Sequence, residues 1–382
     1  MLIKNVTIET MSAAGTVRGG WLLIENGKIA DIGDGPPPFY DGDILDGDGL
    51  TAYPGFIDAH THLGIVEDSL DFEGDDCNED SDPITPHVRA LDGINPLDRC
   101  FMEAREAGIT CVAVAPGSAN PIGGQICIIK TIGKRVDKMV VKSPAAIKFA
   151  LGENPKNTYH SKNSAPVTRM ATAALMRENL AKAKRYLEEL DRSLADEELD
   201  APEYDIKLEA LIPLLRGEIG AHFHAHRADD IFTAMRIAEE FGLKYAIVHG
   251  TEGHLIADEL DGVSVIAGPN LCDRSKPELR EQTFKNPSEL TAGGALVALT
   301  TDHPVSPLNY LPLCAAMAKK EGLSDKSALE AMTINPARIL GIDERVGSLE
   351  KGKDADILLV RGDVLEVSHT VEAVFIDGVR VK

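Results

Sequence analysis

The sequence predicts an α/β fold: a (β/α)8, TIM-like barrel carrying a small β-sandwich formed from both termini. Three observations predict it. Eight apolar, strand-like runs alternate with helical stretches through the middle of the chain, the pattern of a parallel sheet built from β-α units, and eight is the number that closes a barrel. Both ends of the chain instead carry short β segments broken by turn residues. Residue types that bind metals recur at the ends of several apolar runs, where such a barrel keeps its chemistry.

The N-terminal part opens with L-I-K-N-V-T-I and then G-W-L-L-I-E-N-G-K-I-A-D-I-G, where Asn26-Gly27 marks a hairpin turn. The far end repeats this grammar in D-A-D-I-L-L-V-R-G-D and V-E-A-V-F-I-D-G-V-R-V-K, with Asp377-Gly378 as a second hairpin turn. Residues 1–53 plus 343–382 are therefore expected to form one composite β domain, and residues 54–342 the barrel. The eight barrel runs are G-F-I-D-A-H, G-I-T-C-V-A-V-A-P-G, Q-I-C-I-I-K-T, A-I-K-F-A-L-G-E, E-I-G-A-H-F-H-A-H, Y-A-I-V-H-G, V-S-V-I-A-G-P and A-L-V-A-L-T-T-D-H. The strongest helical stretches run from 166 to about 195 and over D-D-I-F-T-A-M-R-I-A-E-E-F-G, which ends on a glycine stop. An acidic run at 68–82 has no periodicity; it reads as a solvated loop or, given its place beyond the first strand, a lid.

Composition narrows the function classes. The 382 residues are 43% hydrophobic and 26% charged, enough for a sizeable core. Lys+Arg 39 against Asp+Glu 61 gives a net charge of −22, which opposes phosphate backbones and anionic membranes, so no nucleic acid and no membrane partner is expected. The N-terminus lacks a signal-peptide pattern and no segment reaches about 18 apolar residues, so a cytoplasmic location is expected. Six scattered cysteines without C-X-X-C read as reduced thiols.

The chemistry begins at Y-P-G-F-I-D-A-H-T-H-L-G. Alternate strand residues face one side, so His60 and His62 project together at a strand end, half of a metal site. The fifth run ends A-H-F-H-A-H (His222, His224, His226), the sixth V-H-G (His249), and the eighth T-T-D-H-P (Asp302, His303). Together these motifs, with H-A-H-R and the tail N-P-A-R-I-L-G-I…G-S-L-E-K-G-K-D-A-D-I-L-L-V, resemble the amidohydrolase superfamily of metal-dependent hydrolases, near its imidazolonepropionase-like and metallo-dipeptidase branch. The likeness covers nearly the whole chain.

That resemblance implies a set of roles. His60, His62, His224 and His249 and Asp302 correspond to the family's ligands, with His226 above them as a substrate contact. Lys148, on the fourth run, lies where two-metal members carry a carboxylated lysine, and Glu153, at the mouth of that run, is the rival bridging carboxylate. A lysine inside a strand is costly unless neutral or modified, which favours the carbamate. The cofactor is then one or two divalent ions: Zn2+ by its donor set, with manganese, iron or nickel compatible with similar donors. Such an ion lowers the pKa of water to about 7, and Asp302 would serve as general base and then acid in cleaving an amide or cyclic amide C–N bond of an N-acyl amino acid, a dipeptide or an imidazolone-like molecule.

Specificity is expected from the loops beyond the strands. Glu153, Tyr159, His226, Arg227 and His303 are the candidate substrate contacts, with Lys156, His160 and Lys162 as further groups able to grip a carboxylate. S-A-N-P-I-G-G-Q (118–125) reads as a glycine-rich approach to a ligand or a plain turn. Two competing readings are a heterocycle deaminase of the same superfamily and a non-catalytic scaffold, which would have lost ligands that this chain retains. The partner is a small-molecule substrate, with a homo-oligomer as an expectation of the resemblance.

Overall fold

A computed structural model describes all residues 1–382. The first strands, β1 (Leu2–Glu9), β2 (Thr16–Glu25), β3 (Lys28–Gly33), β4 (Ile44–Asp46) and β5 (Thr51–Pro54), precede the barrel strands. Those are β6 (Phe56–Thr61), β7 (Ile109–Val114), β8 (Ile122–Lys130), β9 (Val140–Ala150), β10 (Gly220–Ala225), β11 (Tyr245–His249), β12 (Ser264–Ala267) and β13 (Leu296–Leu299). After the barrel come β14 (Ile357–Arg361), β15 (Thr370–Ile376) and β16 (Val379–Arg380).

Both ends of the chain do combine, and they hydrogen-bond as one continuous sheet in the order β16-β15-β14-β5-β1-β2-β3, with β4 beside β1. The seam is β14 against β5, where Ile357 to Val360 pair antiparallel with Pro54 to Thr51. Strand alternation explains why β14 is buried on both sides. Ile357 and Leu359 join the sheet's own core with Ile3, Ile8, Leu22 and Phe375. Leu358 and Val360 face the other way, into a larger core shared with Phe56, Phe101 and Leu311 of the barrel.

All eight predicted runs are strands of the second sheet, ordered β13 through β6. One expectation is corrected: the third strand, β8, runs antiparallel to both β7 and β9, while the other neighbouring pairs are parallel. The physical reason is connection length. Only residues 115–121 join β7 to β8 and 131–139 join β8 to β9, whereas a parallel crossover needs a dozen residues or more. Both junctions therefore turn back as hairpins.

Between β13 and β6 the barrel closes through cross-links of a different kind. Ala331 and Met332 lie between the strands, their carbonyls accepting from Leu299 N and Ile57 N. Nearer the mouth, buried Asp58 accepts from Thr301 N at 2.9 Å and Thr301 Oγ1 at 2.7 Å, Thr300 Oγ1 donates to the His60 carbonyl at 2.5 Å, and His62 N donates to the His303 carbonyl.

Helices cover the outside. Arg169–Ala195 starts on Thr168, whose side chain accepts from Ala171 N, and Ala228–Phe241 ends on Gly242 in the left-handed conformation. A buried ionic cluster ties the sheet of the termini to the barrel: Lys130, the last residue of β8, lies 2.6 Å from Asp356, 3.2 Å from Asp354 and 3.3 Å from Asp377. All six cysteines are free. No helix is long and apolar enough to cross a membrane.

Candidate metal centre

Each histidine of the predicted set is buried and reaches the barrel mouth from a strand end. Hydrogen bonds at the outer ring nitrogens orient most of them. His62 Nδ1 donates to the Ala115 carbonyl at 2.7 Å and His249 Nδ1 to the Gly268 carbonyl at 2.6 Å. His224 Nδ1 pairs with Ser118 Oγ at 2.9 Å and His226 Nδ1 with Thr251 Oγ1 at 2.7 Å. Anchoring Nδ1 leaves Nε2 facing inward, the arrangement by which outer partners fix metal-ligating imidazoles.

The inward atoms converge in two overlapping groups, His60–His249–Asp302 and His224–His226–His249, with the ligand atoms of each group within 4.8 Å of one another. Asp302 Oδ1 is 3.4 Å from Nε2 of both His60 and His62. Buried His224 Nε2 and Asp302 Oδ1 have no hydrogen-bond partner. Buried polar atoms are normally satisfied, so one unpaired atom in each group fits a cation held there. Two of the residues also hold uncommon backbone geometry: His249 has φ +77° and Asp302 φ +52°. Left-handed conformations at non-glycine residues concentrate at functional sites, where surrounding contacts hold them.

The electrostatics suit ligand chemistry. Burial lowers His60, His224 and His226 well below the ordinary imidazole value, and it brings His222 to about 3 and His249 to about 4. These rings are neutral at pH 7, the form that binds metals. His62 differs: burial pushes it down, but Cys77 and Asp302 raise it to about 10, so a cation entering there displaces a proton. Burial would raise Asp302, yet His249 and His62 hold it below its usual range. Lys148 is fully buried, 3.0 Å from His60 Nε2, and burial lowers it to about 8.

The loop candidates fare differently from the strand-end set. His226 stands among the potential ligands instead of above them. Glu153 opens the helix Glu153–Ser161 with its carboxylate toward Asn157 and belongs to neither group. Tyr159 is buried and donates to Asn120 Oδ1 at 2.5 Å, which makes it a brace beneath the mouth loops. Arg227 is held by Asp229 through two hydrogen bonds of 2.9 Å, and Lys162 by Asp80 at 2.6 Å. Neighbouring acids thus neutralise both cations. His303 turns into the structure, where Nδ1 accepts from Leu308 N.

Sequence reasoning missed several residues. Asp58 shares the strand face of His60 and locks the first strand to the eighth; burial raises its pKa to about 6. Its alternation with the two histidines was the available signal. Glu278, from the long loop after β12, is buried with Oε1 3.7 Å from His224 Nε2 and 3.6 Å from His226 Nε2, and Lys276 Nζ lies 2.8 Å from the same oxygen. Burial pushes Glu278 up, but His226 and Lys276 outweigh it and the carboxyl sits below its ordinary value. Ser118 and Cys77 also line the mouth. Of the glycine pair after Ser118, Gly124 serves chain packing: a Cβ there would lie 2.3 Å from the Val88 carbonyl.

The resulting cavity, about 480 Å³, is walled by His62, Cys77, Asn78, Ser118, Lys276 and Asp302 among others, a size for a small molecule. The acidic run reaches it through Cys77 and Asn78, while Asp80 and Asp82 are tethered to Lys162 and Lys207. A larger cleft of about 680 Å³ beside Tyr53 and Arg338 holds none of these histidines.

The barrel gathers imidazoles and a carboxylate at its strand ends, a donor set able to hold a metal ion. The chain belongs to the amidohydrolase superfamily. The Amidohydrolase family model matches residues 205–381. An amidohydrolase from Thermotoga maritima MSB8 of known structure is 42% identical, with a TM-score of 0.96 covering 100% of this chain and 99% of that one. The amidohydrolase TasK of Hapsidospora irregularis is 30% identical over 97% of this chain, which spans only 41% of TasK's length. An imidazolonepropionase from Thermoanaerobacter pseudethanolicus is 26% identical over 90% of this chain and 84% of its own.

Proposed function

We propose that this chain is a metal-dependent amidohydrolase that cleaves an amide or cyclic amide C–N bond of a small polar molecule. The observation that carries the reading is the gathering of buried histidines about the unpartnered Oδ1 of Asp302, with His60 and His62 each 3.4 Å from it and His249 in the same group, at the mouth of a cavity. His60, His62, His224, His249 and Asp302 would hold the cation, zinc by the preference of such donors. When bound, it supplies Lewis acidity and an acidified water.

The chain's own residues do the rest. Asp302 Oδ1 takes the proton of the attacking water and returns it to the leaving nitrogen as the C–N bond breaks. His249 and His62 hold the carboxyl below its usual range and so keep it anionic, and His62 and His60 each lie 3.4 Å from Oδ1. Lys148, lowered to about 8, has a neutral amine fraction able to add CO2 and become an anionic ligand. The cavity's Asn78, Ser118 and Asn154 supply the polar contacts that orient a substrate. A likeness to imidazolonepropionase over most of its length supports cyclic amides as the first class to screen.

The test is hydrolysis of cyclic amides, N-acyl amino acids and dipeptides by the zinc-loaded protein beside Asp302→Asn. Loss of turnover by a factor of about 10² to 10⁴ with an unchanged melting curve is expected for removal of a general base. Retained turnover in that variant would overturn the role of Asp302. Ammonia as the product, with no ring opening, would establish deamination instead.

A further inference from the structure

The charged groups on the wall of the catalytic cavity divide into those already engaged and one that is not. Lys276 is the wall's one lysine, with no arginine beside it; its Nζ lies 2.8 Å from Glu278 Oε1 and donates to Asn154 Oδ1 at 3.0 Å. Asp302 belongs to the metal centre. Asp273, carried onto the rim by the loop after β12, is exposed and is engaged by no cation and no side-chain hydrogen bond. A second cavity of about 510 Å³ adjoins the first, sharing Cys77, Asn78 and Gly117 with it. Its walls carry Asp75, Asp76 and Glu79, none of them paired with a cation, and its one basic residue, Arg89, is held by Asp92 through hydrogen bonds of 2.8 and 2.7 Å.

A cleft lined by charge of one sign concentrates ions of the other, and like charges brought together across a binding surface are penalised. The mouth therefore favours a cationic molecule and opposes a carboxylate. This reverses the substrate charge expected of Arg227 and Lys162, which Asp229 and Asp80 already occupy. We propose that Asp273 is a specificity-determining residue, and that the amide cleaved here carries a protonated nitrogen, as an ammonium or guanidinium, away from the bond that breaks. The proposal rests on the amidohydrolase reading above and adds to it the charge of the substrate. The scissile end of the molecule sits at Asp302 and its histidines, while the Asp273 carboxylate accepts charge-assisted hydrogen bonds from the far end.

The competing account is that Asp273 is a solvated acid whose charge water screens to no effect. Acyl amides of graded length that end in an ammonium, a hydroxyl or a carboxylate separate the two, assayed with the zinc-loaded full chain. The wild type should favour the ammonium series over the hydroxyl series by about 10-fold in kcat/KM, the worth of one hydrogen bond to a charged group, and should turn over the carboxylate series most slowly. Asp273→Asn should erase that preference through KM, and Asp273→Lys should pass it to the carboxylates; at an exposed position both variants are expected to fold, which the melting curve checks. A wild type that prefers the carboxylate series, or an ammonium preference that survives in Asp273→Asn, would overturn the assignment. If no amide is hydrolysed, the proposed function fails, and calorimetric binding of the same three series still decides this inference. Tighter binding of the ammonium series that Asp273→Asn removes supports it, and binding without an ammonium preference refutes it.

Discussion

Replacing Lys130 by Met tests how the barrel is fastened to the sheet of the termini. Lys130 is 3% exposed and neutralises Asp356, itself 3% exposed, at 2.6 Å. Asp354 would keep Lys28 and Arg345 as partners, but Asp356 would keep only the backbone N–H of Asp377. Breaking a buried pair by removing one partner costs about 3–5 kcal/mol, and the surviving partners of Asp354 place this case near 3. With an unfolding entropy of about 2.1 cal/mol/K per residue, the 382-residue chain loses about 4 °C in Tm. Calorimetry would read it, and Lys130→Met with Asp356→Asn should recover at least half, because the stranded charge is gone. The sign in pH follows from the shifts. Burial lowers Lys130, but Asp356, Asp377 and Asp354 raise it above its ordinary 10.5. Its contribution is therefore complete below that value and lost as pH climbs through the raised one. The gap between wild type and variant should close on the alkaline side. A variant melting within about 1 °C of wild type near neutrality would refute the reasoning from buried charge.

Three further outcomes follow from the site and its supports. Ser118→Ala removes the partner that orients His224, and metal affinity should fall about 10- to 100-fold, read by competition with a chromophoric chelator. Gly124→Ala would force a Cβ to 2.3 Å from the Val88 carbonyl, and a destabilisation of about 1–3 kcal/mol should appear in urea melts. Intact mass under non-denaturing conditions in bicarbonate should show one added CO2 that Lys148→Ala abolishes; no increment in the wild type would remove the carbamate.

The strand-borne half of the centre was legible because period-two alternation is a local property. His60 and His62 had to share a side, and His249 and Asp302 had to stand at the mouth once the eight runs were strands. Strand direction was not written in the apolar runs: β8 reads like any buried strand, and only the short connections at 115–121 and 131–139 reveal that it must turn back. Loop residues carry no period at all. Glu278 could be a solvent-facing acid as far as its neighbours in sequence tell, and Arg227 a substrate clamp, until the fold brings the first against two imidazoles and Asp229 closes on the second.

The seam between β5 and β14 sets an order of events during synthesis. Pro54 pairs with Ile357, so the last of the early strands, flanked by β1 on one edge, lacks the partner for its other edge until some three hundred further residues have been made. At about 5–20 residues per second that is roughly 15 to 60 seconds on the ribosome. Over the same interval the hairpin-linked β7, β8 and β9 need only their immediate neighbours in sequence, and local pairings form fast. The emerging chain can thus pair its second to fourth barrel strands while Ile3, Ile8 and Leu22 wait with the N-terminal hairpin. Exposed apolar strands of that kind are what chaperones hold, which makes the interval before β14 appears the chain's most aggregation-prone stage.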